Sequence, residues 1–104
     1  MRTLNHIGIP VTTSVQGEMR NEELYLWYTN VAASANKIEF LRFEEECPFP
    51  EIVKTMPHIA YEVSSMEDAL KGAKILYGPF TPVVGMDVCF IEEEGVPIEL
   101  DYFY

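Results

Sequence analysis

The sequence predicts one α+β domain in which two repeated modules form a single cupped, mixed but mostly antiparallel sheet. The length of 104 residues fits one small domain. Hydrophobic residues make up 48% of the chain, which is enough for a core and too much for a disordered segment. Two short motifs also recur at matching places in the two halves, and this repeat predicts the paired architecture.

Each half opens with a strand that carries histidine and ends with a strand that carries glutamate. Residues 5–11 read Asn-His-Ile-Gly-Ile-Pro-Val and residues 57–63 read Pro-His-Ile-Ala-Tyr-Glu-Val, so His6 and His58 lie 52 positions apart. Residues 37–43 and 97–103 share an Ile-Glu pair that contains Glu39 or Glu99. We therefore divide the domain, residues 1–104, into module 1 (1–52) and module 2 (53–104).

Module 1 is predicted to consist of strands with its helix shortened or missing. Residues 12–23 are polar and contain Gly17, which predicts a loop with at most one helical turn. Residues 23–31 are rich in aromatic and β-branched side chains and predict a strand. Residues 38–43 predict a second, short apolar strand.

Module 2 carries the one clear helix signal. Ser64 or Ser65 is a suitable cap, and the apolar side chains that follow recur at helical spacing (Met66, Ala69, Leu70 and Ala73). Gly72 weakens or ends this helix. The rest predicts strands over 74–77, 81–84, 86–91 and 96–102, separated by Gly-Pro and Gly turns.

Alternation along the strands predicts a metal site. His6 shares a strand face with Gly8, and His58 shares one with Ala60, so both imidazoles have room beside them. Glutamate in the middle of an apolar strand is costly unless it is paired, protonated or bound to a cation. If a pseudo-twofold axis relates the modules, the two histidines and two glutamates converge.

Two imidazoles and two carboxylates suit one first-row divalent ion, with Zn, Ni, Co, Mn and Fe(II) all compatible. Taken singly, each histidine or glutamate is also compatible with an ordinary structural residue, and a duplicated fold whose site has decayed is the main alternative.

Charge and composition exclude several partners. The chain has 17 acidic and 7 basic residues and a net charge of −10, which argues against nucleic acid and anionic membranes. No apolar run approaches the ~20 residues of a membrane helix, and no secretory signal is visible. Cys47 and Cys89 form no CxxC pair and predict reduced thiols in a cytoplasmic protein. The aromatic tail, 102–104, and the missing helix predict a homodimer.

The motifs His-Ile-Gly-Ile-Pro-Val, Pro-His-Ile-Ala-Tyr-Glu-Val and Gly-Val-Pro-Ile-Glu-Leu resemble those of the vicinal oxygen chelate superfamily. Glyoxalase I, bleomycin-resistance proteins, methylmalonyl-CoA epimerase and extradiol dioxygenases belong to it. The resemblance implies paired βαβββ modules around one metal ion, with His6, Glu39, His58 and Glu99 as ligands. It also implies Glu99, and after it Glu39, as the catalytic carboxylate.

The resemblance leaves three functions open. The first is a metal-dependent lyase or isomerase of the glyoxalase-like class, acting on a small substrate that chelates the metal through neighbouring oxygens. The second is an Fe(II) extradiol-type dioxygenase, for which His6, His58 and Glu99 suffice. The third is a non-catalytic small-molecule binding protein of the bleomycin-resistance type. The sequence contains no basic cluster for glutathione carboxylates or coenzyme A phosphates.

Overall fold

One mixed sheet of eight strands forms the body of the protein, in a computed structural model that describes all 104 residues. Its elements in chain order are β1 (Arg2–Pro10), β2 (Met19–Asn21), β3 (Leu26–Tyr28), a 3-10 turn (Val31–Ala33), β4 (Ile38–Phe43), α1 (Glu51–Thr55), β5 (His58–Val63), α2 (Met66–Ala69), β6 (Lys74–Val83), β7 (Met86–Glu93) and β8 (Val96–Phe103). The predicted α+β class, the cupped mixed sheet and the absence of a helix between the first two strands of module 1 are confirmed. Neither α-helix is long and apolar enough to cross a membrane.

The strand order β2-β3-β4-β1-β5-β8-β7-β6 is symmetric about its centre. β1 and β5 meet there as antiparallel neighbours, and each pairs in parallel with the last strand of its own module, β4 or β8. Ile7 lies opposite Ile59 at the middle of the central pair, and these residues are also 52 positions apart. The pseudo-twofold axis inferred from the repeat therefore passes between β1 and β5.

The two faces of the sheet carry separate apolar clusters, because side chains alternate along each strand. The concave cluster contains Leu26, Leu41, Cys47, Phe49, Val53, Val88 and Phe90, so the segment that includes α1 packs inside the cup. The convex cluster contains Cys89, Ile91, Ile98 and Leu100 and is covered by α2. Both cysteines are buried and free, as expected.

The strand predicted over 23–31 is wrong in its bounds. The chain forms a hairpin in which β2 pairs with β3, and the turn between them holds Tyr25 at φ 54°. Asn21 directs this turn, because its side-chain oxygen accepts a hydrogen bond from the Leu24 backbone N–H at 3.0 Å. The segment rich in strand-forming residues therefore contains a turn, which the Asn21 side chain stabilises.

Module 2 differs from prediction at two places. The helix capped by Ser65 is only one turn long, although Met66, Ala69, Leu70 and Ala73 do pack on the convex cluster. The strands predicted over 74–77 and 81–84 are one strand, β6, whose pairing with β7 shifts register around Gly78. Strand pairing along β7 thus continues across the Gly-Pro interruption.

Candidate metal centre

The four predicted ligands lie in two rows across the centre of the concave face. In one row, His6 on β1 lies opposite Ala60 on β5, which lies opposite Glu99 on β8. In the other row, His58 on β5 lies opposite Gly8 on β1, and Gly8 lies opposite Glu39 on β4. Each histidine is thus separated from a glutamate by a residue with almost no side chain.

Over these small residues the side chains of the two rows meet. His6 Nε2 lies 3.4 Å from a Glu39 carboxylate oxygen and 3.8 Å from the Glu99 Oε1 atom. His58 Nε2 lies 3.1 Å from the same Glu99 oxygen. The two rings stand edge to face with centroids 5.7 Å apart. The structure therefore brings all four predicted residues together.

Gly8 is required by the close approach of His58. A β-carbon built on Gly8 would lie 2.1 Å from His58 Cε1 and 2.3 Å from Nε2. Any larger residue at this position would push the His58 ring out of the site. The space that glycine leaves above β1 is therefore occupied by the His58 imidazole itself.

The pKa values of the two histidines shift in opposite directions. Burial, reinforced by the neighbouring His6, lowers the pKa of His58 to about 4, so its ring is neutral at pH 7. Burial also lowers the pKa of His6, but the contact with Glu39 and the charge of Glu99 outweigh it and leave the net pKa raised. Burial raises the pKa of Glu99, which is only 7% exposed.

Asn5 supports the site in a way that the sequence did not reveal. The β1–β5 register shifts between Leu4 and His6, and this bulge allows Asn5 to contact its neighbour instead of pointing away. Asn5 Oδ1 lies 2.6 Å from His6 Nδ1, and Asn5 Nδ2 donates to a Glu62 carboxylate oxygen at 3.2 Å. Because a carboxylate only accepts, the Asn5 oxygen must face His6. When the His6 ring is neutral, Nδ1 therefore carries the proton and Nε2 keeps its lone pair.

Asp101 is a second neighbour that strand alternation placed on the Glu99 face without assigning it a role. It is fully buried, and neither carboxyl oxygen makes a hydrogen bond. One of these oxygens lies within 4.8 Å of a His6 ring nitrogen and of a Glu99 carboxyl oxygen. Burial, together with the charge of Glu99, raises the pKa of Asp101 to about 10. At pH 7 the metal-free site therefore holds an acid group that keeps its proton.

The residues present fit a divalent ion. His6 Nε2 and His58 Nε2 are buried without a hydrogen-bond partner, which is unusual for polar atoms in a protein interior. Ligand atoms of His6, Glu39 and His58 lie within 4.8 Å of one another, as do those of His6, Glu99 and Asp101, and Glu99 Oε1 lies 3.1 Å from His58 Nε2. Two imidazoles and two carboxylates match the ligand preferences of a first-row metal ion and do not fit an anion.

A cavity opens from the four ligands into the cup. Its volume is about 210 Å³, and 11 of its 17 lining residues are hydrophobic. Phe49 lies deep in this wall and contacts the rings of Phe80 and Phe90 at centroid distances of 5.6 and 5.2 Å. The ligands therefore form the polar end of an otherwise apolar chamber.

Comparison with known proteins identifies relatives by structure only. No protein-family model matches the chain, and no curated protein sequence does. The chain is similar to the crystal structure of a hypothetical protein from Bacillus halodurans C-125, with a TM-score of 0.67, 22% identity, and 99% of this chain and 95% of that chain covered.

It is also similar to methylmalonyl-CoA epimerase from Mycobacterium tuberculosis, with a TM-score of 0.63, 21% identity, and 97% and 87% covered. This likeness confirms that the chain has the vicinal oxygen chelate fold which its motifs resemble.

Proposed function

We propose that this protein is a metal-dependent isomerase or lyase of the glyoxalase-like class, which moves a proton between adjacent carbons of a small chelating substrate. The observation that carries the proposal is the position of Glu39 and Glu99 beside a buried histidine pair at the polar end of an apolar cavity. Two carboxylates next to one reacting centre allow one to remove a proton and the other to return it.

His6, His58 and the two glutamates would hold one divalent ion. Such an ion supplies Lewis acidity, which stabilises the negative charge that develops on the neighbouring oxygens of a chelated substrate. Glu99 is the stronger candidate for the base, because burial raises its pKa and with it the proton affinity of the carboxylate. Glu39 is the second candidate, with a side chain 19% exposed at the cavity wall.

The structural likeness to an epimerase supports the isomerase class without assigning the substrate. Epimerisation needs a proton removed from one face of a carbon and returned to the other. The arrangement of Glu39 and Glu99 on different strands, β4 and β8, is compatible with that requirement.

Proton exchange is the direct test. Protein loaded in turn with Ni, Co, Mn, Zn and Fe(II) is incubated in D₂O with α-keto hemithioacetals, 2-methyl acyl thioesters and small α-hydroxyketones. We expect deuterium at the carbon beside the chelating oxygens. Glu99→Gln should keep metal, since an amide oxygen still coordinates, and should lose ~10²–10⁴-fold in exchange rate. Glu94→Gln, in the exposed turn before β8, is the charge-matched control.

Two outcomes would overturn the proposal. Oxygen-dependent cleavage of a catechol by the Fe(II) form, without proton exchange on any substrate, would assign a dioxygenase. Tight binding of chelators with no reaction under any metal would assign a small-molecule binding protein.

A further inference from the structure

The cavity contains no cationic side chain. Besides apolar residues its lining includes the four ligand residues, Asn21 and Tyr28, and neither lysine nor arginine appears in it. A pocket that recognises phosphate or carboxylate groups usually offers arginine, lysine or a set of backbone N–H groups to them.

All seven basic residues of the chain lie outside the cavity lining. Five pair with carboxylates on the outside of the fold: Arg2 with Glu93, Arg20 with Glu44, Arg42 with Glu18, Lys71 with Asp68, and Lys74 with Glu92. Lys54 donates to the Glu45 carbonyl oxygen at 3.4 Å. Lys37 is exposed and lies outside the cavity lining. No cationic side chain therefore lines the cavity to receive an anionic part of a ligand.

The charge balance of the loaded site leads to the same conclusion. The two positive charges of a bound divalent ion would be offset by the carboxylates of Glu39 and Glu99, so the centre would carry no net charge. An anionic tail would be desolvated among phenylalanine rings without a partner, which is costly. The net charge of −10 also repels anions from the molecule as a whole.

We propose that the ligand of this site is an uncharged, largely apolar molecule that reaches the metal through two neighbouring oxygens, and that anionic carriers are excluded. The inference rests on the proposed function only in needing the bound metal. At about 210 Å³ the cavity is smaller than the ~300–1,000 Å³ of typical drug-sized sites. The ligand is therefore small as well as uncharged.

The first experiment compares three probes that share one diol and differ in charge. The Co(II)-loaded protein is titrated at pH 7 with 4-methylcatechol, 3,4-dihydroxybenzoate and dopamine, and binding is followed by calorimetry and by the visible spectrum of the metal. We expect 4-methylcatechol to bind at least ~10-fold more tightly than the anion, since ~1.4 kcal/mol is one factor of ten. Equal or tighter binding of the anion or of the cation, or no binding of any probe, would overturn the inference.

A matched pair of variants tests whether the cavity itself sets this preference. Val83 lines the cavity mouth and is 57% exposed, whereas the adjacent Val84 is fully exposed and lies outside the lining. Val83→Lys should raise the affinity for 3,4-dihydroxybenzoate relative to that for 4-methylcatechol by about tenfold. Val84→Lys adds the same charge and should change neither. An equal effect of both lysines would show that overall charge, and not the cavity, selects the ligand.

Binding at equilibrium keeps this inference separable from the proposed reaction. Protein that prefers the uncharged diol but exchanges no substrate proton contradicts the isomerase and upholds the ligand class. Suppose instead that the protein exchanges protons on a thioester or hemithioacetal and binds 3,4-dihydroxybenzoate and 4-methylcatechol equally tightly. That result upholds the isomerase and contradicts the ligand class.

Discussion

Asn5 shows how a residue outside the four predicted ligands can orient one of them. Its amide lies between Glu62 and His6, and in the neutral His6 ring it keeps the proton on Nδ1. Hydrogen bonds of this kind orient ligating histidines and raise their basicity. The lone pair of Nε2 is then directed towards Glu39 and Glu99, where the ion would bind.

Asn5→Ala should lower the affinity for divalent metal by ~10–100-fold, because the His6 ring loses its orienting acceptor. The measurement is the dissociation constant for Zn or Co in competition with a chromophoric chelator. Asn36→Ala, at an exposed position before β4, serves as the control. Identical constants for parent and Asn5→Ala would remove Asn5 from the site.

Asp101 predicts a pH dependence of the metal-free protein. Its pKa is raised from 3.8 to about 10 on folding, so between these values the folded state keeps a proton that the unfolded chain releases. Stability contributed in this way is complete below about pH 4 and is lost as the pH rises towards 10. Asp101→Asn, which does not titrate, should escape the loss.

Urea unfolding at pH 5 and pH 8 checks this prediction. The stability advantage of metal-free Asp101→Asn over the parent should grow between these two pH values by up to ~1.4 kcal/mol per pH unit. An advantage that does not change with pH would contradict the raised pKa.

At the scale of elements, β1 and β5 build the site because their register places a small residue of one strand against a histidine of the other. Gly8 opposes His58, and Ala60 opposes His6. Gly8→Ala should therefore displace the His58 ring, weaken metal binding by at least ~10-fold and destabilise the fold by ~1–3 kcal/mol.

A double-mutant cycle measured by urea unfolding and metal titration isolates the cause. Since His58→Ala removes the clashing ring, Gly8→Ala should cost much less stability in that background than in the parent. Additive losses would mean that the alanine acts on the strand and not on the imidazole.

The elements also show what the sequence can and cannot predict. His6, Glu39, His58 and Glu99 were predictable because each histidine or glutamate recurs at a matching place in both modules. Asn5 was not, because simple alternation places it on the opposite face from His6 and a bulge leaves no mark in one sequence. The β2–β3 turn was not predicted for a similar reason, since Tyr25, which has a positive φ, lies within a run of strand-forming residues.

At the scale of the whole molecule, the two modules are unequally covered. α2 packs on the convex face of module 2, whereas the convex side chains of module 1, including Ile7, Ile9, Ile38 and Phe40, are half-buried and belong to neither apolar cluster. Twofold symmetric dimers bury such a face against its own copy. We propose this face as the contact surface of the homodimer that the sequence predicts.

Light scattering at micromolar concentration should give about twice the chain mass of 11.9 kDa. Phe40→Lys should shift the mass towards that of one chain, because a buried ammonium in the interface has no partner. Val84→Lys, on an exposed turn away from this face, is the control. A parent protein of single-chain mass would contradict the dimer.

Metal content tests the central claim, that a buried pair of histidines and a pair of glutamates form one metal centre. Chelator-treated protein is reloaded with Zn, Ni, Co, Mn or Fe(II), passed through a desalting column and analysed for elemental content, in parallel with His6→Ala and His58→Ala. We predict one divalent ion per parent chain and a large loss in each variant, with the secondary structure retained. Negligible metal in the parent, or equal metal in all three proteins, would contradict the account.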